Sequence, residues 1–449
     1  MSKATLENKT NPNRLARNIM IALVLGIAAG LVFMAIRQNV SEGTWKTINN
    51  LLFQDITADG AQKAIGLFYI GGQLFVRALQ LVIVPMVFTS IALAICTITD
   101  ARTLGRVSGK TLFFFLLTTV VGLLLASVVG IIVYNAGLFN ANIEGLTATS
   151  GNTGANPLNV ILNIVPGNIG TTFSSNSSVL AIVFLAVAVG LCMNKLGAEK
   201  SSALHKLFEE INDVIVKFLN FVVTNFAPVA IFMLLCRTFA SYGINYLKPA
   251  MIYMVVTVVL LLLYLFIGYP LYVAISTKQN PKYFLKKIMP VIMLGFSTSS
   301  SAATLALNYE TTTKRLGVDS TIASFVLPLG MTVNMDGTAI MQVVATLFIA
   351  GCAGFKVTLG GVILIGALAL VASVGTPAAP GAGAVVLFTI LSGIGLTSDA
   401  ALLAYTLILA INRPIEMLVT ALNVVGDATT CMYVSKSENL LNTEVYEEK

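Results

Sequence analysis

From Ile322 to Cys352 the chain carries one charged side chain, Asp336, within Val333-Asn334-Met335-Asp336-Gly337-Thr338, and the flanking residues are mostly apolar. A carboxylate in the middle of so apolar a segment costs several kcal/mol unless it turns toward a polar cavity, a partner or an ion. The chain must therefore fold so that a membrane helix keeps Asp336 inside, and charges placed in this way mark pathways for ions or solutes.

Composition agrees with a membrane setting. Of 449 residues 56% are hydrophobic and only 10% are charged, where a soluble domain carries about 25% charged residues. The long apolar runs do not alternate as barrel strands would, so they read as a bundle of spanning helices, each needing about twenty residues. The five cysteines (Cys96, Cys192, Cys236, Cys352, Cys431) lack the spacing of a metal or redox site, and the only histidine, His205, lies in the polar stretch 200–206. Both facts argue against a zinc site or a histidine-based triad. The net charge of +7 comes from basic residues dispersed at helix ends rather than clustered on one face, so topology accounts for it and no nucleic-acid partner is expected.

Residues 18–36 form a first span with no cleavage site behind it, an anchor rather than a removed signal. Further apolar segments run over 64–97, 111–134, 179–193, 214–239 and 249–275. Lys3, Lys9, Arg14 and Arg17 precede the first span, and Arg102, Arg106 and Lys110 follow the second. Residues 135–178 hold one charge, Glu144, whereas lysines and arginines recur at 195–206, 278–287 and 314–315. Counting basic residues places both termini in the cytoplasm and 135–178 outside.

Beyond residue 280 the pattern changes. The apolar segment 288–308 is interrupted by Ser297-Thr298-Ser299-Ser300-Ser301, and 357–391 by Ser373-Val374-Gly375-Thr376-Pro377-Ala378-Ala379-Pro380-Gly381-Ala382-Gly383. Each has half-length arms around a small, polar tip, the form of a hairpin that enters and leaves from one side. Non-helical backbone at membrane depth is tolerated where it lines a cavity, and paired broken helices point to a transporter binding site. Small residues also serve close helix packing, the plainer reading of either tip alone.

In the last span Glu416, Thr420, Asn423 and Asp427 stand at i, i+4, i+7 and i+11, one narrow face at about 100° per residue. Such a stripe suits acid/base machinery, a proton relay, hard oxygen ligands for a cation, or simply a hydrogen-bonded contact between helices. No activated nucleophile accompanies it and no GxxxxGK[ST] loop is present, which leaves little room for an enzyme or an ATP-driven pump. A channel fits two hairpin gates less well than a carrier that occludes its cargo.

Four of these segments together, Asn334-Met335-Asp336-Gly337-Thr338, the tip 298–301, Pro380-Gly381-Ala382-Gly383 and Asn423-Val424-Val425-Gly426-Asp427, resemble the dicarboxylate/amino acid:cation symporters over nearly the whole chain. The resemblance implies an all-α membrane protein of eight transmembrane helices plus two re-entrant hairpins, divided into scaffold and elevator-type transport domains. It places scaffold helices 1 and 2 in 1–110, transport helix 3 in 111–135, an external insertion with scaffold helices 4 and 5 in 136–245, the transport core in 246–435 and a cytoplasmic tail in 436–449. It further implies a homotrimer in the cell membrane that carries an amino acid with two or three Na+.

The same resemblance assigns ion ligands. One sodium would take backbone oxygens of Gly330, Asn334 and Asn423 with the Asp427 carboxylate. A second would take Thr332 and Met335 with backbone of Ser373, Val374 and Thr376. A third would take Thr118, Thr119, Asn334 and Asp336, with Phe115 where archaeal relatives have tyrosine. Proton-coupled relatives tend to carry an amide at the Asp427 position, so the aspartate favours sodium. For the substrate, Ser300, Ser301, the tip 378–383 (with Ala379, Pro380 and Gly383) and Asn423 would hold the α-carboxylate, Thr338, Val419 and Thr420 would surround the side chain, and Glu416, usually aspartate, would meet the α-ammonium.

Carriers of acidic amino acids resemble one another in having arginine at the Val419 position, and valine offers a second carboxylate no partner. The expected cargo is therefore a small neutral amino acid such as serine, threonine, alanine or cysteine. The alternative is sodium- or proton-coupled transport of glutamate, aspartate or C4-dicarboxylates, with Arg413 supplying the charge from one turn away. Arg413 otherwise pairs with Glu416, and Pro414 is expected to kink the helix there.

Overall fold

The structure, a computed structural model, describes residues 12–57, 60–99, 105–141, 165–174, 178–242, 247–376 and 381–447. Lys3, Lys9, Arg102, most of the external insertion and the tip residues Pro377, Ala378, Ala379 and Pro380 lie outside the described residues. Among the described residues all regular structure is helical. Seven helical segments among the described residues are long and apolar enough to span a membrane, and four shorter apolar helices, 181–196, 359–374, 382–393 and 399–409, accompany them. The chain divides into two compact units, residues 1–78 with 219–244, and residues 79–218 with 245–449.

In the first unit α1 (Pro12–Asn39) packs on the second half of α8 (Ala198–Tyr242) through Gly26 and Gly30, a GxxxG pair. A Cβ at Gly30 would stand 2.6 Å from Phe239 Cβ, so only glycine permits this approach. Phe53 sits at the centre of the aromatic cluster with Phe33, Trp45 and Phe68. Buried Arg237 donates through Nε to the Phe53 carbonyl at 2.7 Å and lies over the Tyr69 ring, which satisfies a charge that apolar surroundings would otherwise penalise.

The second unit is built around α14 (Asp336–Cys352), every residue of which is buried. It packs against α5 (Gly105–Asn135), where Gly122 and Gly130 receive Ile340 and Leu347, and against α9 (Leu247–Leu263) and α18 (Arg413–Ser437). The first hairpin is α11 (Pro281–Thr298) and α12 (Ser301–Lys314), joined by Ser299 in the left-handed region at φ 50° and by Ser300, which caps α12. The second is α15 (Leu359–Val374) and α16 (Ala382–Gly393), with Gly381 at φ 85° ahead of α16.

The helices depart from the sequence pattern at four places. The segment 64–97 is two helices, α3 (Leu67–Leu81) and α4 (Ile83–Thr99), because the Pro85 ring cannot pass the Leu81 carbonyl in a continuous helix. The segment 214–239 extends back to Ala198 through an amphipathic stretch laced by His205–Glu209 and Lys206–Glu210 pairs, which apolar counting misses. The Asp336 segment is not one helix: α13 (Ser320–Val333) ends at Asn334 and α14 begins at Asp336, with Asn334 and Met335 in neither helical nor extended conformation between them. Pro414 does not kink the last helix; it lies in the first turn of α18, after α17 (Asp399–Ile411) has ended at Asn412, where its missing N–H costs nothing.

Candidate functional site

The interruption at Asn334-Met335 frees backbone oxygens in the interior of the unit and aims two side chains in different directions. Asn334 donates through Nδ2 to Asp427 Oδ1 at 3.0 Å and to the Asn423 carbonyl at 3.4 Å, while its own buried Oδ1 has no hydrogen-bond partner among the described residues. Asp427 is 3% exposed and Asn423 likewise. A Cβ on Gly330 would collide with Asp427 Oδ1, and one on Gly426 would stand 2.5 Å from Asn334 Nδ2, so two glycines let the backbone close around this carboxylate. A buried carboxylate, an orphaned amide oxygen and unwound carbonyls form the donor set of a hard cation such as sodium, and the residues present fit that ion.

Asp336, fully buried, is held by two hydroxyls: Thr119 Oγ1 donates to Oδ1 at 2.5 Å and Tyr269 OH to Oδ2 at 2.8 Å. Thr118 turns its Oγ1 toward the Phe115 carbonyl at 3.0 Å, and its own carbonyl accepts from Tyr264 OH at 2.5 Å. Both tyrosines flank a π-helical turn, Tyr264–Gly268, between α9 and α10 (Tyr269–Thr277). One extra residue in that turn rotates the following helix so that Tyr269 faces Asp336, the re-aiming that π-turns characteristically provide at functional sites.

Beside these carboxylates lies a cavity of about 370 Å³, open mouth included. The first tip contributes Ser299 and Ser301, the α13–α14 junction Met335, Thr338 and Met341, the second hairpin Thr376, Gly381 and Gly383, and α18 Glu416, Val419, Thr420 and Asn423. Asn423 ties the wall together, accepting from Gly337 N at 2.8 Å and donating to Thr338 Oγ1 at 3.3 Å. Among the described residues Glu416 is the one charged lining residue and its buried Oε1 has no hydrogen-bond partner, while Arg413 Nη1 stands 3.8 Å from its Oε2. Ser299 Oγ is likewise buried and unpartnered.

Gly330, Asn334, Asn423 and Asp427 converge, as do Thr118, Thr119 and Asp336. Met335 and Thr376 share the cavity wall. Thr332 turns its hydroxyl back to the Leu329 carbonyl at 3.1 Å, Ser373 donates its own to Leu370 O at 2.9 Å, and Val374 ends α15. At the first tip Ser300 Oγ accepts from Ala303 N, so Ser299 rather than Ser300 faces the cavity. Tyr264, Tyr269, Ser299 and Met341 escape the sequence reading. The signal that could have found the tyrosines is their occurrence with Tyr272 in one apolar helix, since a buried phenol needs a partner for its hydroxyl.

Comparison with known proteins agrees with this geometry. The family model described as "Sodium:dicarboxylate symporter family" matches residues 15–437. A proton/sodium-glutamate symport protein of Bacillus caldotenax is 28% identical over 443 residues, 96% of each chain. A proton/glutamate-aspartate symporter of Escherichia coli (strain K12) is 26% identical over 436 residues, 95% of this chain and 93% of its own. Excitatory amino acid transporter 2 of Mus musculus is 26% identical across 82% of this chain and 73% of its own. With two interrupted hairpins facing a broken helix and a carboxylate-lined cavity, and a match that spans nearly its whole length, the chain belongs to the sodium:dicarboxylate symporter family.

Proposed function

We propose that the chain is a sodium-coupled symporter that imports an amino acid, with a small neutral side chain as the preferred cargo. Its family makes it a membrane transporter rather than an enzyme. The observation that supports this specificity is the cavity wall, where among the described residues Glu416 is the one charge and Val419 adds apolar surface. The ammonium of an α-amino acid pairs with Glu416. Its carboxylate takes hydroxyl and backbone donors from the two tips, Ser301 and Gly383 among them. A second carboxylate against Val419 would be buried unpaired, at a cost of several kcal/mol.

Coupling follows from the neighbouring carboxylates. Sodium at Asp427 with Asn334, and at Asp336 with Thr118 and Thr119, neutralises charges that otherwise hold the site open, and the second hairpin then closes over the cargo. Each sodium entering down the membrane potential contributes about 2.3 kcal/mol per 100 mV, so two or three ions suffice for strong accumulation. Residues 111–135 and 246–435 are the moving part in this reading, 1–110 and 136–245 the scaffold of a homotrimer, and both termini are cytoplasmic.

A second reading, transport of glutamate or aspartate, is favoured by the names of the three relatives above, a proton/sodium-glutamate symport protein, a proton/glutamate-aspartate symporter and an excitatory amino acid transporter. Arg413 gives it a physical partner, 3.8 Å from Glu416. Kinship weighs for the acidic cargo and the cavity wall for the neutral one. Uptake by the purified protein in liposomes decides between them: accumulation that requires a sodium gradient, competed by serine, threonine, alanine or cysteine, supports the neutral reading, and competition by aspartate and glutamate alone overturns it.

A further inference from the structure

We propose that Arg413 is the internal counter-ion of the empty carrier: it neutralises Glu416 whenever no substrate ammonium does, and yields that carboxylate when cargo arrives. The inference rests on the reading of Glu416 as the ammonium site. The three carboxylates at the site are served differently. Asp336 has two hydroxyl donors and Asp427 an amide. Glu416 has a cation beside it, Arg413, at an i, i+3 spacing on the first turn of α18.

The pair is built to separate. At 3.8 Å it is an ion pair without a hydrogen bond, and both partners keep a buried polar atom that has no partner among the described residues, Nε on Arg413 and Oε1 on Glu416. Arg413 is not on the cavity wall, whereas Glu416 is. A substrate ammonium in the cavity can therefore meet Glu416 on the wall, where Arg413 is not among the lining residues. Because a neutral amino acid is a zwitterion, the sum of charges around Glu416 is the same before and after loading, and only the identity of its cationic neighbour changes. Without Arg413 the loaded form still has the ammonium, but the empty form must carry across the membrane a buried carboxylate that has only the neutral donors of Ala384, Asn412 and Gly381 beside it, the costlier of the two states. The defect should fall on the return of the empty carrier and spare the loaded one.

The test compares two modes in liposomes containing the full-length protein: net uptake of labelled L-serine driven by a sodium gradient, which needs the empty return, and exchange of external label for internal unlabelled L-serine at equal sodium, which does not. Arg413→Gln is expected to lower net uptake about tenfold more than exchange, and Arg413→Lys to keep the wild-type ratio. Arg413→Met, which retains the stem packing, is run alongside so that a folding failure of one variant leaves the ratio readable. Equal losses in both modes, or an unchanged ratio, overturn the proposal. So does a selective loss of labelled L-aspartate uptake in Arg413→Gln with serine net uptake intact, because Arg413 would then hold a substrate carboxylate. Failure of the wild type to accumulate either amino acid would instead remove the proposed function itself.

Discussion

Asn334 uses one end of its amide and leaves the other free: Nδ2 donates to Asp427 Oδ1 at 3.0 Å, and buried Oδ1 has no hydrogen-bond partner among the described residues. A residue that satisfies a carboxylate with one end and leaves an acceptor vacant at the other is half of a cation site. Asp427→Asn removes the charge at constant shape and keeps a side-chain oxygen to accept from Asn334 Nδ2. The substitution should raise the midpoint of thermal unfolding in sodium-free buffer, because a buried charge is replaced by a satisfied pair. It should also raise the sodium concentration for half-maximal uptake by about tenfold or more, which is about 1.4 kcal/mol of lost ion binding. A lower melting midpoint with normal sodium activation would contradict both expectations.

Tyr269→Phe leaves Asp336 Oδ2 buried without its 2.8 Å donor. The sodium-free protein should lose about 1–3 kcal/mol. Sodium can compensate the exposed charge directly, so the stabilisation that it brings, measured as the melting shift between sodium and choline chloride, should be larger in the variant than in the wild type. An equal shift would place Tyr269 outside the ion's influence.

Val419→Arg puts a guanidinium on the cavity wall about one turn of α18 from Glu416. It should create competition by aspartate and glutamate, improved at least about tenfold over wild type, while weakening neutral cargo, since a bidentate pair contributes on the order of 1.5–3 kcal/mol. A competition panel on the reconstituted variant measures this. No gain for acidic competitors would show that the distal end of the cargo lies elsewhere.

At the opposite end of α18, Glu438 accepts from Lys110 Nζ at 2.6 Å and pairs with Arg106. Hydrogen bonds from Arg106 and then Lys110 hold its carboxyl below the usual range. The sign follows from a folded pKa below the unfolded one: the latch contributes fully at neutral pH, begins to fail as pH falls through the unfolded value of about 4.3, and is gone below the folded value. Residues 438–447 should therefore gain hydrogen exchange or protease sensitivity on acidification across that window. Glu438→Gln should show the sensitivity already at neutral pH.

Much of the site was legible because lipid penalises polar groups so heavily that each one is a signal. Asp336, Asp427, Glu416 and the two tips stand out against apolar surroundings, and the 100° spacing alone puts Asn423 and Asp427 on one face. What stayed hidden depends on backbone departures that sequence period does not encode. The break at Asn334-Met335 has no flanking glycine or proline at its hinge, although Pro328 lies in the helix before it. The π-turn at Tyr264 shifts the register of an otherwise regular apolar run, so the partner of Asp336 appears at an unexpected position. Ser299 and Ser300 are neighbours of identical chemistry, and the left-handed conformation of Ser299 decides which one faces the cavity.

That conformation has an evolutionary corollary. A serine at φ 50° bears strain on the order of 1 kcal/mol that glycine would not, and its hydroxyl has no partner until something fills the cavity. Any selection for thermostability alone should enrich Ser299→Gly early, and the variants it yields would be sturdier carriers with one fewer hydroxyl with which to grip their cargo.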